Sequence, residues 1–243
     1  MESDSNEKVI DLIRKCLALS DSPNENEAAA AMAKAQELLE KYNLDISNVS
    51  VQQNIAPELF KADIEYGQNW RRVLYSGVAK QNFCVVIGIG NKNLQVLGRL
   101  PNVIATHEMA EWLSSQLERL ANIETVCYSQ YSLVNGKVVK GTDNKRQYRT
   151  DFLFGATHRV LSRLAELNET RRENSPGTRA LVASLLTEAQ SFMNIEYPRR
   201  VSHHMSVRKH SAGYGNGINA ANGVSIVAPS RHIHNDGKLY LTG

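Results

Sequence analysis

The stretch from Lys15 to Val49 limits what this chain can fold into more than any other. Ahead of it and into it, Val9, Ile10, Leu12, Ile13, Cys16, Leu17 and Leu19 recur at steps of three and four, the period of an amphipathic helix. Ser20-Asp21-Ser22-Pro23 then breaks that helix. Ser22 suits the N-cap of a second helix, Pro23 its first position, and Glu25 stands three residues after Ser22, as a capping box requires. The second helix is predicted to run to about Tyr42, with Ala28, Ala31, Met32, Ala35, Leu38, Leu39 and Tyr42 along one side. Its alanines let the first helix approach closely. Asn43 is expected to close it in the left-handed conformation, with Leu44 folding back. The product is an antiparallel helical hairpin, and neither its turn nor its faces supply a nucleophile, an acid/base pair or a set of metal ligands.

Beyond this hairpin the periodicity fades, so residues 50–67 read as a linker. A helix follows over about Gln68 to Lys80. Phe83–Ile87 and Leu94–Gly98 then flank Gly90-Asn91-Lys92-Asn93, the pattern of a β-hairpin. A long helix is predicted from Pro101 or Asn102 to about Ile123. Asn135-Gly136 marks a second hairpin turn, between Tyr131–Val134 and Lys137–Val139. Thr150 is the expected cap of the next helix, and a further helix spans about Ala180 to Ile195. After Pro198 come five of the seven histidines and a run of small residues. There Ala212, Asn216, Ala220 and Gly223 or Val224 recur at about four residues, which fits either a tightly packed helix or, because glycine weakens helices by roughly 1 kcal/mol each, an irregular loop. The fold class is therefore α+β: a helical hairpin (1–49), the linker, a mostly helical body with one or two β-hairpins (68–196), and a small-residue, histidine-rich segment (197–243).

The pattern K-C-L-A-L-x-x-S-x-N-x-x-E-A-x-x-A-x-x-K-A-x-x-L-L-x-K-Y-x-L, running from Lys15 to Leu44, resembles the short helical domain known as domain of unknown function 2786. Ser22, Asn24, Glu27, Ala28, Ala31, Lys34, Ala35, Leu38 and Leu39 carry the likeness. The resemblance implies an origin in bacteriophages, prophages or mobile elements, and a helix–hairpin–helix body behind the module. It implies no assigned activity.

Charge sorts the function classes. Residues 1–60 hold five basic and eleven acidic side chains, so the net +3 of the whole chain hides an acidic head and a basic body with a surplus of nine. The amino terminus, MESDSNEKVIDL, has acids where a signal peptide needs a basic and then an apolar stretch, and no apolar run approaches the roughly 20 residues a bilayer demands. No membrane partner and a cytoplasmic location, a bacterial host's if phage-encoded, are the expectation. Cys16, Cys84 and Cys127 are odd in number and set among apolar neighbours, and read as reduced core thiols.

No catalytic residue stands out. His107-Glu108 on a predicted helix lacks the second histidine that a zincin needs four residues on, where Glu111 stands. There is no G-x-S-x-G elbow, and Gly88-Ile89-Gly90-Asn91-Lys92 and Gly213–Gly217 fit neither phosphate-binding glycine motif. His203, His204, His210, His232 and His234 have the donor type for a metal, which would make a metal-dependent hydrolase. Arg199, Arg200, Arg208 and Lys209 beside them would repel a dication, so no cofactor is expected. Basic residues gather at Lys137, Lys140, Lys145, Arg146 and Arg149, around Arg171 and Arg172, and at Arg199, Arg200, Arg208 and Lys209. Tyr128, Tyr131, Tyr148, Tyr197 and Tyr214 are interleaved with them, a composition suited to nucleic acid. The leading expectation is a non-enzymatic accessory protein binding nucleic acid through its basic body, with the hairpin docking a partner or another copy. Inhibition of a host defence component is the further alternative, and rests on the resemblance alone.

Overall fold

A computed structural model describes residues 37–43, 59–90, 92–126, 128, 131–134, 137–140, 144–173, 176–201 and 206–224, with isolated positions (8, 11, 12, 15, 16, 34 and 35) before them. Of residues 131–134, 137–140, 170–173 and 176–181 it describes the backbone alone. Most of the expected first helix, its capping turn and most of the second lie outside these residues, as do Cys127, His203, His204, His232 and His234.

The fold is α+β and mostly helical. Strand β1 (Phe60–Glu65) is followed by α1 (Asn69–Gln81), the hairpin β2 (Val85–Ile89) and β3 (Asn93–Gly98), and the long α2 (Leu100–Val126). A second hairpin, β4 (Tyr131–Val134) and β5 (Lys137–Lys140), leads to α3 (Lys145–Glu173), α4 (Pro176–Glu196) and α5 (Ala212–Ala221). Both predicted hairpins are present, and Gly90 turns the first at φ +62°, a conformation that glycine takes without steric penalty.

Strand β1 lies in the stretch expected as a linker. Its alternation is clear once the sheet is seen: Ala62 and Ile64 are buried and Asp63 and Glu65 exposed. It pairs antiparallel with β3, which becomes the central strand of the order β1-β3-β2. Ala62, Ile64, Leu94 and Val96 form the inner face. They share a core with Trp70, Leu74 and Val78 of α1, Leu113 and Leu117 of α2, and Phe152 and Val160 of α3.

Residues 37–43 are helical and tied to the body. Ala35 and Leu39 are buried in a second cluster with Phe83, Ala105, Val182 and Leu185. Burying a leucine of this kind is worth about 2 kcal/mol. Asn43 does not take the left-handed conformation expected of it. It stays helical, because its amide is used elsewhere: Nδ2 donates to Leu39 O at 2.7 Å and to Asn102 Oδ1 at 2.9 Å. Arg99 completes the joint, donating to Asn43 O at 3.1 Å and, through Nε and Nη2, to both carboxylate oxygens of Glu188 at 2.9 and 2.8 Å. Among the described non-glycine residues, the left-handed backbone belongs instead to Phe83 at φ 61°. Phe83 follows the end of α1, where Cys84 N donates to Ala79 O at 2.8 Å, the closing bond of a Schellman motif.

Candidate nucleic-acid interface

Helix α3 starts five residues before the expected cap Thr150. The cap is Asn144, whose Oδ1 accepts from Gln147 N at 2.8 Å, while Thr150 sits inside the helix with its hydroxyl donating to Arg146 O at 3.0 Å. Lys145, Arg146 and Arg149 therefore lie in the first turns of α3, where the helix dipole is positive. The small-residue segment near the carboxyl end is a helix, α5, capped by Ser211, whose side chain accepts from Tyr214 N at 3.2 Å.

The buried positions of α5 are Gly213, Tyr214, Gly217 and Ala221, one residue on from the predicted series. The shift has a steric cause. A Cβ on Gly213 would stand 2.5 Å from Tyr148 O, and one on Gly217 would overlap Phe152 O, so only glycine fits against α3 at these two positions. Gly155 of α3 reciprocates, since a Cβ there would overlap Tyr214 O. The order of these contacts, together with Arg163 Nη1 donating to Ala221 O and Val224 O at 2.7 Å each, makes α5 run parallel to α3.

Parallel pairing brings the two helix starts side by side. Neither has an acidic residue in its first turn. Around them stand Lys145, Arg146, Lys209 and His210, all exposed, the half-buried Arg149 and the exposed Arg208. Residues Val207–Ser211 also line a cavity of about 430 Å³. Arg149 donates to Asn122 Oδ1 at 3.1 Å. Arg208 Nη1 lies 3.5 Å from Asp151 Oδ2, an acid also held by Gln147 at 2.9 Å. Strand β5, bearing Lys137 and Lys140, ends just before α3 starts.

The other predicted residues sit elsewhere. Arg171 and Arg172 are on the last turns of α3, about 25 residues and so roughly 38 Å along the helix from Arg146. Arg199 and Arg200 line a separate cleft beside β2, together with Arg72, which the sequence reading passed over. His210 is exposed at the start of α5. Among the described residues no group of three or more His, Cys, Asp or Glu side chains is placed to hold a metal ion.

Four of the five interleaved tyrosines have structural duties, and the side chain of Tyr131 lies outside what is described. The Tyr148 hydroxyl donates to Glu124 Oε1 at 2.6 Å and accepts from Asn216 Nδ2 at 2.7 Å, and burial, then the Glu124 bond, push its pKa up to about 12. Tyr214 is buried with its hydroxyl 2.7 Å from His158 Nδ1. Burial first, and Lys209 second, lower the His158 pKa. Tyr197 is half-buried and donates to Gln95, while Tyr128 packs on Tyr148 at a ring separation of 4.6 Å. Tyr148 and Tyr214 thus fix the α3–α5 pair rather than offering faces for bases to stack on.

One constellation escaped the sequence reading. Glu111, standing where a zincin would need histidine, accepts from Tyr75 at 2.6 Å and from Arg71 at 2.5 Å, and His107 Nδ1 lies 3.0 Å from the same tyrosine oxygen. Tyr75 gives its one proton to Glu111, so the His107 contact is a hydrogen bond only when Nδ1 carries a proton. Burial, then the Glu111 bond, raise the Tyr75 pKa. The signal was there as two four-residue steps, Arg71/Tyr75 and His107/Glu111, one on each helix. This polar clamp joins α1 to α2.

These features define a mostly helical α+β protein with two helix starts converging on one basic end. The family model described as Protein of unknown function (DUF2786) matches residues 8–45, so the chain carries the module suspected from Lys15–Leu44. No curated protein and no solved structure matches the chain. None of the helices described is long and apolar enough to cross a membrane.

Proposed function

We propose that the protein binds nucleic acid through the paired starts of α3 and α5, as an accessory protein of a phage or mobile element. One observation carries the reading: α5 packs parallel on α3, so basic residues about 60 positions apart in sequence, Lys145–Arg149 and Arg208–Lys209, gather at one end with no acid in either first helical turn. Two aligned helix dipoles and unneutralised lysines attract phosphate oxygens, and backbone N–H groups at the helix starts can receive them. Phosphate contact at a site whose Tyr148 and Tyr214 are buried in the helix pair favours binding with little sequence preference. The mobile-element origin rests on the resemblance of the module at residues 8–45.

The test is a fluorescence-anisotropy titration with 20-nucleotide single-stranded DNA, duplex DNA and single-stranded RNA in 50 mM salt. The wild type is expected to bind at least one of them. The triple variant Lys145→Glu, Arg146→Glu, Lys209→Glu is expected to lose at least tenfold in affinity while keeping its circular dichroism spectrum. Absence of wild-type binding to all three probes overturns the proposal, because phosphate contacts are strongest at low salt.

A further inference from the structure

Among the described residues, strand β2 ends the sheet and has a partner, β3, on one side only. Every residue from Val86 to Gly90 lines a single cleft of about 1170 Å³. Successive strand residues point to opposite faces of a sheet. A cavity touched by all of them therefore runs along the strand's free edge. At such an edge alternate residues present unpaired N–H and C=O groups. Among the described residues, no loop or turn backbone bonds to them. The sequence Val-Val-Ile-Gly-Ile has no charge and no proline to discourage pairing, and Ile89 is exposed.

The walls of the cleft are cationic. On one side Arg72 of α1 lays its guanidinium against Gly88, whose missing Cβ would stand 2.9 Å from Nη2. On the other, Tyr197 to Val201 follow α4 and bring Arg199 and Arg200. No carboxylate among the described residues pairs with these three arginines, and the one acid in the lining, Glu196, is held by Lys61 at 2.8 Å.

We infer that the β2 edge takes up an extended acidic peptide segment of a partner protein by strand addition. The backbone of the segment pairs with β2, its apolar side chains alternate over the half-buried Val86 and Ile87 and the exposed Ile89, and its carboxylates meet Arg72 on one side and Arg199 and Arg200 on the other. A second copy of this chain is the poorer occupant, because β2 against β2 sets three arginines against three. Nucleic acid lacks the peptide spacing of donors and acceptors that an open strand edge matches.

The experiment is selection of a phage-displayed library of random twelve-residue peptides on the immobilised full chain, followed by synthesis of the enriched peptide. Enrichment of sequences alternating apolar residues with Asp or Glu is expected. The synthetic peptide should slow amide hydrogen exchange at Val85–Ile89, and the exposed double variant Arg199→Glu, Arg200→Glu should weaken it at least tenfold. Lys145→Glu with Lys209→Glu should leave peptide binding unchanged, which separates this site from the nucleic-acid interface. The inference is overturned by failure of any family to enrich, by enriched peptides without acids, or by affinity indifferent to the Arg199/Arg200 reversal. It is equally overturned by sedimentation showing a dimer that protects the same amides, which would make a second copy the occupant.

Discussion

Arg99 is nearly inaccessible, with 5% of its side chain exposed, and its charge is satisfied by the two oxygens of Glu188 and by Asn43. Removing one member of a buried pair leaves the other uncompensated, so Arg99→Ala is expected to cost about 3–5 kcal/mol. Arg99→Met fills the space without a charge but still strands Glu188, whereas the double variant Arg99→Met, Glu188→Leu should recover most of the loss. Urea denaturation of the three variants measures both effects. A second residue-scale expectation concerns pH. Burial and Lys209 hold the His158 pKa below its ordinary value of about 6.5, so the folded state favours the neutral ring. Below pH 6.5 the unfolded chain takes up a proton that the folded chain resists, and stability falls as pH drops toward the lowered folded value. The denaturation midpoint of the wild type should decline from pH 6.5 to 5, and more gently in His158→Gln. A wild-type and variant decline of equal slope would remove His158 as a cause.

At the scale of elements, the α3–α5 contact makes glycine substitutions informative in opposite directions. A Cβ at Gly217 would overlap backbone of α3, so Gly217→Ala must push the helices apart, at a cost of about 1–3 kcal/mol or more. Gly215, on the same helix, meets nothing within 4 Å, and Gly215→Ala should stabilise by about 0.5–1 kcal/mol through higher helix propensity. Thermal denaturation that ranks the variants Gly215→Ala, wild type, Gly217→Ala supports the packing described, and the reverse order contradicts it. The same helix shows how far the sequence could be read. A four-residue step of small residues was visible, but a period does not say which of its registers faces a neighbour, and that was decided by the backbone of α3. Both β-hairpins were legible because turn residues and β-rich flanks are local signals. Strand β1 was not, because its alternation is short and its partner β3 is about 30 residues away. The Lys145–Arg149 and Arg208–Lys209 clusters were each plain in sequence. Their convergence, and the divergence of Arg171 and Arg199, depend on helix direction and length, which charge counting does not contain.

Across the whole molecule the basic surplus is divided among the α3–α5 start, the far end of α3 and the β2 cleft. This division makes salt dependence a sharp test of the proposed function. Each phosphate neutralised releases condensed counterions, so log K falls with log salt at about 0.9 per contact on duplex DNA and about 0.7 on single strands. If Lys145, Arg146, Arg149, Arg208 and Lys209 all reach phosphates, the slope on duplex should be about −4 to −5. Arg149 and Arg208 already have protein partners in Asn122 and Asp151, so a slope nearer −3 would mean that they keep them. Lys209→Gln should reduce the slope by about 0.9, since its charge faces solvent beside the start of α5. Arg171→Gln with Arg172→Gln should leave it unchanged, because a phosphate held at Arg146 lies roughly 38 Å along α3 from them, well beyond the Debye length of about 10 Å at 0.1 M salt. Anisotropy titrations from 50 to 200 mM salt give these slopes directly. Equal reductions from the Lys209 and the Arg171/Arg172 variants would mean that nucleic acid is held by diffuse charge over the body, and the paired helix starts would lose their special standing.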